Sequence, residues 1–305
     1  MSFMDTAAQI ISLFLIMVVG YIMYKRNVID DAATIRYTKL IMNISLPSQI
    51  ITAFISNQGI VSNREVITVF GITFVAYAVY AVIGMAFLAI TRVPKQQRGT
   101  YMFMAMFGNV GFMGFPVISA IFGDEALIYA VIFMVVFNVL VYSIGILLIN
   151  TNDENKGFNL KKLVNMPFIA AVLSIILYFA NIKLPDMVMT SFNFMGNITT
   201  PVAMLILGAT VATMPIKELF DEWRIYPFII VKLAIMPLIA IALIQFVNVS
   251  ELIRGTVIVL SATPVATNAT MLAIEYGGDT KLTSKGIFFT TILCMLSIPL
   301  LTLIL

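Results

Sequence analysis

The sequence contains no histidine, a single cysteine and few charged residues. The absence of histidine excludes Ser-His-Asp catalysis, histidine metal sites and histidine proton relays. Cys294 stands alone in an apolar run, so the sequence has neither a disulfide framework nor a cysteine cluster for a metal. The paired interior carboxylates that general acid–base catalysis would use are missing as well. We therefore expect no enzyme activity, no metal and no cofactor.

Charge is scarce along the whole chain. Asp, Glu, Lys and Arg make up 11% of the 305 residues, whereas 61% are hydrophobic. A soluble domain uses roughly 25% charged residues to solvate its surface. The composition therefore indicates an integral membrane protein whose surroundings are a lipid bilayer. The net charge of +3 comes from basic residues scattered singly or in pairs, which argues against a nucleic-acid partner.

The apolar runs predict an all-α protein with ten transmembrane helices. Each run approaches the ~20 residues that cross a bilayer, and each connection carries charges or turn residues. Lys232 is the one charged residue inside these runs. We expect its long side chain to reach the cytoplasmic interface, and a functional buried lysine is the alternative. The predicted helices 1 to 10 are 6–24, 40–56, 66–91, 100–122, 126–149, 163–182, 192–212, 226–247, 255–274 and 286–305.

The basic residues predict the orientation of these helices. Of the 18 Lys and Arg residues, 14 lie in connections that follow odd-numbered helices and 3 in connections that follow even-numbered ones. By the positive-inside rule the odd-numbered connections are cytoplasmic, and both termini lie outside. Residues 1–6 lack the basic region of a secretory signal, so helix 1 is expected to be retained. We expect a multi-pass protein of the cell membrane.

A polar linker, 151–162, divides the chain into two five-helix repeats, 1–150 and 163–305. An odd number of helices in each repeat forces the two repeats into opposite orientations. Two short echoes at nearly the same offset support a duplication: Asn43–Pro47 matches Asn197–Pro201, and Arg98–Thr100 matches Arg254–Thr256. Inverted repeats with a site at their interface are typical of secondary transporters.

The fourth helix of each repeat carries helix-breaking residues near its middle. In helix 4, the segment Gly108–Pro116 contains three glycines before Pro116, whose ring clashes with the carbonyl of Phe112. In helix 9, Pro264 frees the carbonyl of Leu260 within a run of Ser, Thr and Asn that offers other hydrogen-bond partners. We predict that at least one of these helices is broken. Close helix packing by small residues, with only a kink, is the alternative.

Two broken helices would create a site for an anion. The second half of each would begin near the membrane midplane with unpaired backbone N–H groups and the positive end of its dipole. Two such ends attract an anion without any formal positive charge. The predicted substrate-binding residues are Asn109, Gly111, Gly114, Pro116, Thr263, Pro264, Thr267 and Asn268. The predicted cavity wall from helices 2 and 7 is Ser45, Pro47, Thr199, Thr200 and Pro201.

At these residues the sequence resembles the auxin efflux carrier family. Asn109, seven residues before Pro116 in the segment Gly108–Pro116, resembles the fourth-helix motif of the family. Ala262-Thr263-Pro264 followed by Glu275-Tyr276 is similar to its ninth-helix motif, and Leu46-Pro47 also fits. The family includes plant auxin carriers and bacterial permeases for malate, malonate and similar acids.

The resemblance implies two inverted five-helix repeats with crossed, broken helices 4 and 9, similar to the sodium/bile-acid symporters. It further implies an elevator-like movement, a small organic anion as substrate and a possible homodimer. Asn109 and Pro116 match the family's crossover and substrate-contact positions. The short linker 151–162 favours the bacterial branch.

Two departures from the family pattern concern the break and the driving force. Ala269 stands where plant carriers have a second crossover proline, so the break in helix 9 is expected to centre on Pro264. Helix 3 lacks the family's acidic and basic pair, and no other interior carboxylate replaces it. An anion leaving a cell needs no coupling ion, because the membrane potential contributes ~2.3 kcal/mol per charge per 100 mV. We expect uniport-like or exchange transport, with sodium-coupled symport and an anion channel as the alternatives.

Overall fold

The computed structural model of the protein describes residues 3–58, 61–150, 164–214 and 220–302. These residues form helices and short connections. No β-strand occurs among them, and their one isolated β-bridge pairs Gly108 with Val265. The predicted linker 151–162 lies outside the described residues.

Each of the ten predicted windows contains a helix, and one helix, Asp31–Leu40, precedes the window 40–56. The first half contains α1 (Phe3–Lys25), α2 (Asp31–Leu40), α3 (Leu46–Ile55), α4 (Asn63–Ile90), α5 (Lys95–Met106), α6 (Phe115–Phe122), α7 (Leu127–Leu140) and α8 (Ile146–Ile149). The second half contains α9 (Met166–Phe179), α10 (Asp186–Asn197), α11 (Thr199–Thr213), α12 (Ile225–Ile230), α13 (Met236–Ile244), α14 (Glu251–Ser261), α15 (Asn268–Tyr276) and α16 (Thr280–Thr302).

Six helical segments within the described ranges are long and apolar enough to cross a membrane: 8–25, 63–90, 124–149, 186–213, 225–244 and 280–301. Two shorter apolar segments, 110–122 and 166–179, accompany them. The prediction of a helical, multi-pass membrane protein is confirmed. The arrangement as ten inverted spans stays a prediction.

Polar caps decide where several helices begin. At the start of α4, the Ser62 hydroxyl accepts the N–H of Glu65 at 3.2 Å, and the Glu65 carboxylate accepts the N–H of Ser62 at 2.8 Å. The Asp30 carboxylate accepts the N–H of Ala33 at 2.6 Å at the start of α2. Such caps satisfy N–H groups that have no partner within the helix, so the helices extend beyond the apolar runs.

Three helical segments contain a π-helical turn that ends two residues before a proline. A proline lacks the N–H that would bond the carbonyl four residues earlier, and its ring clashes with that carbonyl. The wider π turn moves this carbonyl without ending the helix. The three pairs are Ile41–Ser45 with Pro47, Val110–Gly114 with Pro116, and Val231–Ile235 with Pro237. A fourth π turn, Val141–Gly145, has no such proline.

The chain divides into two compact units. Unit 1 comprises Met1–Phe70, Gly111–Val135 and Val164–Met214. Within it, α1 packs closely on α11, and α3 packs on α9 and α10. A Cβ atom at Gly208 would lie 1.8 Å from the Met17 carbonyl oxygen, so the backbones of α1 and α11 touch.

Two hydrogen bonds in unit 1 join the ends of helices that are distant in the sequence. The Lys25 ammonium, at the end of α1, donates to the Ala212 carbonyl near the end of α11 at 3.0 Å. The Gln58 amide, after α3, donates to the Ile182 carbonyl after α9 at 2.9 Å. The connections that follow predicted helices 1 and 7 therefore meet, as do those that follow helices 2 and 6.

Unit 2 comprises Gly71–Val110, Val136–Leu163 and Pro215–Leu305. Three of its connections meet through polar side chains. The Gln97 amide lies 3.5 Å from the Glu222 carboxylate and 3.3 Å from that of Asp279, and Arg224 donates to the Thr91 carbonyl at 3.2 Å. These contacts join the connections after predicted helices 3, 7 and 9, which are all odd-numbered.

An ion pair lies beside this group of connections in unit 2. The Lys285 ammonium, in α16, donates to the carboxylate of Asp221. This hydrogen bond holds the pKa of the Asp221 carboxyl below its ordinary value.

Candidate functional site

Both helices predicted to break are interrupted. The first stops at Met106 and resumes as a π turn at Val110, so the interruption is 107–109. The second stops at Ser261 and resumes at Asn268, so the interruption is 262–267 and contains Pro264. The alternative of a mere kink is wrong for both. Pro116 does not itself break the first helix, because it lies in the first turn of α6, where the π turn accommodates it.

The two interruptions pair with each other inside unit 2. The N–H of Asn109 donates to the Pro264 carbonyl at 2.7 Å, and the N–H of Ala266 donates to the Phe107 carbonyl at 3.1 Å. These bonds form an antiparallel bridge centred on Gly108 and Val265. Each extended segment thus supplies hydrogen-bond partners that the other lost when it left helical geometry. We call residues 107–109 and 262–267 the crossover.

Glycine at position 108 lets the two segments approach. A Cβ atom there would lie 2.3 Å from the hydroxyl oxygen of Thr263. That hydroxyl is held in place, because it donates to the Leu260 carbonyl at 2.6 Å. Leu260 is the residue whose carbonyl Pro264 was predicted to leave without a donor, and Thr263 supplies the replacement.

Aromatic packing fixes the other side of the first interruption. The ring of Phe107 is fully buried, with its centroid 4.8 Å from that of Phe103, 5.8 Å from Phe137 and 5.9 Å from Tyr77. Such aromatic pairs each contribute about 0.5–1.5 kcal/mol beyond the area they bury. The extended conformation at 107–109 is therefore held by packing as well as by hydrogen bonds.

Lys232 is buried beside the crossover. It lies in the π turn between α12 and α13 and is 2% exposed, so the expectation that it reaches the interface is wrong. Its ammonium donates to the Ala105 carbonyl at 2.9 Å and lies 6.0 Å from the ring of Tyr80. In a continuous helix that carbonyl would accept the N–H of Asn109, which here donates to Pro264 instead. Lys232 therefore replaces a hydrogen bond that the break removed.

This lysine changes the electrostatics that the sequence predicted. The windows 100–122 and 255–274 carry no charge, as expected, but Lys232 brings a cation to the carboxyl end of α5. A cation is favourable there because the last carbonyls of a helix form the negative end of its dipole. The anion site without a formal positive charge in its two helices stays a prediction, and Lys232 of the π turn lies beside it.

The predicted binding residues divide between the two units. Asn109, Thr263, Pro264, Thr267 and Asn268 belong to unit 2 and form or flank the crossover. Asn109 is 4% exposed and Thr263 is fully buried. Asn268 is the first residue of α15, and its side-chain oxygen has no hydrogen-bond partner among the described residues. The amino-terminal end of α15 is the positive end of its dipole, where an anion is favoured, and the N–H of Ala269 there donates to the Ala266 carbonyl at 3.0 Å.

The other predicted residues belong to unit 1. Gly111, Gly114 and Pro116 lie in the π turn and in the first turn of α6. A Cβ atom at Gly111 would lie 3.8 Å from a methyl carbon of Leu46, the residue before Pro47. These residues therefore lie beside the predicted wall from α3.

The wall residues themselves have mixed environments in unit 1. Ser45 is fully buried and donates its hydroxyl to the Met195 carbonyl at 3.0 Å, which joins the predicted helices 2 and 7. Thr199 is 1% exposed, Pro47 and Thr200 are half-buried, and Pro201 is exposed. Ser45 and Thr199 are thus buried and Pro201 is exposed, and their role as a cavity wall stays a prediction.

Two residues that the sequence analysis did not assign to the site contact it. Lys232 bonds the end of α5, and Thr290 of α16 accepts the N–H of Val265 at 3.0 Å. A lysine inside an apolar run signals a special role, but nothing in the sequence distinguishes Thr290 from other membrane threonines. Among the described residues, no group of three or more His, Cys, Asp and Glu side chains is placed to hold a metal ion.

Comparison with known proteins places the whole chain in one family. A family model described as membrane transport protein matches residues 6–302. The chain is similar to the uncharacterized transporter MJ1031 of Methanocaldococcus jannaschii, with 26% identity over 95% of this chain and 96% of the relative. An uncharacterized transporter of Methanothermobacter thermautotrophicus is 27% identical over 98% of both chains. The uncharacterized transporter YfdV of Escherichia coli is 24% identical over 96% of this chain and 95% of the relative.

Proposed function

This chain belongs to the auxin efflux carrier family of membrane transport proteins, and we propose that it is a secondary transporter of small carboxylate anions that bind at the crossover. The observation that carries the proposal is the pairing of two helix interruptions through Asn109 and Pro264. Discontinuous helices whose half-helix ends face a gap are the usual binding sites of secondary transporters.

The chemistry of the crossover favours an anion. The amino-terminal end of α15 presents the positive end of its dipole, which favours an anion. Lys232 adds a formal positive charge near the opposite segment, while the described residues of the crossover carry no acidic side chain. A carboxylate matches such a site, and the side-chain amide of an asparagine such as Asn109 or Asn268 donates hydrogen bonds to a carboxylate.

We propose ten spans in two inverted repeats, 1–150 and 163–305, with both termini outside. Two observations support the alternation of spans. In unit 2 the connections after predicted helices 3, 7 and 9 meet, and in unit 1 those after helices 1 and 7 meet. Two compact units also suit an elevator-like carrier, in which one part carries the site and the other is anchored.

The proposed transport is uniport-like or exchange. A proton relay would use a carboxylate inside an apolar span. Among the described residues, Glu65, Glu251 and Glu275 lie at helix ends instead. Uptake of radiolabelled malate and malonate into proteoliposomes, with sodium, proton and voltage gradients imposed in turn, tests this. Uptake that follows voltage or internal anion supports the proposal. Strict dependence on a proton gradient contradicts it, and strict dependence on sodium indicates a symporter.

The site assignment is tested by Asn109→Ala and Pro264→Ala, which both change residues of the crossover. Each variant should bind malate at least tenfold more weakly in a thermal-shift titration, since a ligand stabilises the folded protein according to its affinity. Asn43→Ala and Pro299→Ala are matched controls, because they remove the same residue types from helices at other places. Wild-type malate affinity and uptake in both site variants would show that the anion binds elsewhere.

A further inference from the structure

The extended segment of the second interruption needs a partner outside the crossover. Val265 is the central residue of its side of the bridge, and its N–H donates to the Thr290 hydroxyl oxygen at 3.0 Å. That hydroxyl donates in turn to the Gly286 carbonyl at 2.6 Å. Thr290 is fully buried, and its hydroxyl both accepts and donates a hydrogen bond within the protein.

A glycine one turn earlier brings α16 close enough for this bond. A Cβ atom at Gly286 would lie 2.4 Å from the sulfur of Met104 and 3.6 Å from a methyl carbon of Val265. Met104 belongs to the last turn of α5, so α16 lies beside both the end of α5 and the second segment of the crossover within unit 2. Because residue 286 has no side chain, α16 packs directly against Met104 and Val265.

We propose that Thr290 is a positioning residue for the anion site, which it shapes by holding Val265 in the extended conformation. Thr267 and Asn268, which open α15, follow Val265 by two and three residues. The direction of the first turn of α15 therefore depends on how Val265 is held. Thr290 acts through the backbone of Val265 and not by contact with the anion. This inference rests on the proposed function, because it assumes that the anion binds at the crossover.

The neighbouring residue offers a matched control. Thr291 is also fully buried, and its hydroxyl oxygen has no hydrogen-bond partner among the described residues. Thr290→Val and Thr291→Val remove the same atoms from adjacent positions on one helix. They differ in that Thr290→Val leaves the N–H of Val265 without its partner in an apolar interior, where an unpaired amide is unfavourable.

The first test is hydrogen–deuterium exchange of the full-length protein without ligand, followed on peptides that contain Val265. In Thr290→Val, one amide in these peptides should exchange at least tenfold faster than in the wild type. Thr290→Ser, which keeps the hydroxyl, and Thr291→Val should exchange as the wild type does. Should Thr290→Val fail to fold, Thr290→Cys, whose sulfur is a weak acceptor, takes its place with the same expectation. Unchanged exchange overturns the role of Thr290.

The second test is a malate titration of the same variants. Thr290→Val should bind malate at least tenfold more weakly, and Thr290→Ser should restore the affinity. Equal affinity in Thr290→Val and Thr291→Val would show that holding Val265 does not shape the anion site. If the wild type itself does not bind malate, the proposed substrate is wrong, whereas the exchange result still decides whether Thr290 holds Val265.

Discussion

Replacement of Lys232 by methionine, which has a similar length and no charge, separates the electrostatic role of this side chain from its packing role. Two opposing terms act on stability. Loss of the bond to the Ala105 carbonyl leaves a buried acceptor unpaired, at about 1–3 kcal/mol. Removal of an ammonium from an apolar interior recovers several kcal/mol of desolvation. We expect Lys232→Met to unfold at the wild-type temperature or above it.

The effect on binding should have the opposite sign. Asn109 follows Ala105 by four residues, and four residues of extended chain span at most about 14 Å, so the ammonium lies on the order of 10 Å from an anion at Asn109. At an effective dielectric constant of about 20, this interaction is worth about 1.7 kcal/mol. Lys232→Met should therefore bind malate roughly fifteenfold more weakly. Lys232→Arg, which keeps the charge, should lose less.

Thermal unfolding and malate titration of the same purified samples provide the assay. A lower unfolding temperature for Lys232→Met together with wild-type malate affinity would refute this reasoning. In that case Lys232 is only a structural donor to the end of α5. Reduced affinity at unchanged or raised stability shows that the charge acts on the anion.

Three glycine substitutions test the packing on which both units depend. Gly108→Ala should abolish malate binding, because its Cβ atom would overlap the Thr263 hydroxyl that is fixed on the Leu260 carbonyl. Retained binding in a ligand titration would disprove the crossover geometry. Gly208→Ala should lower the unfolding temperature by several degrees, because its Cβ atom would lie 1.8 Å from a backbone oxygen that cannot rotate away. Gly71→Ala is the control for both, because nothing lies within 4 Å of its Cβ position. Alanine is more favourable than glycine in a helix interior by about 0.5–1 kcal/mol, so the unfolding temperature should be unchanged or higher.

The sequence predicts the places of the helices well but their ends less well. A hydropathy window records where the apolar run begins, whereas a helix begins where its first N–H groups find partners. Thus α2 begins at Asp31, nine residues before the window at 40, because Asp30 caps it. Likewise α14 begins at Glu251, where Ser250 accepts the N–H of Ile253, although the window begins at 255.

The candidate site shows the same limit more clearly. Local chemistry predicts that Pro264 frees the Leu260 carbonyl and that a nearby hydroxyl takes it, and Thr263 does so. The sequence places the first break within Gly108–Pro116, and the break lies at the start of that segment, at 107–109, because a π turn absorbs the proline. The roles of Lys232 and Thr290 depend on which backbone groups the crossover leaves unpaired, and only the folded chain determines that.

The hydrogen bonds of the crossover bear on what kind of anion site it is. Three groups freed by the two breaks find partners within the protein: the Ala105 carbonyl on Lys232, the Leu260 carbonyl on Thr263 and the Val265 N–H on Thr290. An anion is therefore not required to complete the fold of the crossover. A carrier must remain folded when it is empty as well as when it is loaded, so a crossover satisfied by its own side chains suits transport. A structural anion, by contrast, would itself accept a freed donor such as the N–H of Val265. The amino-terminal end of α15, which adjoins the crossover, is then left to bind a ligand that must also leave.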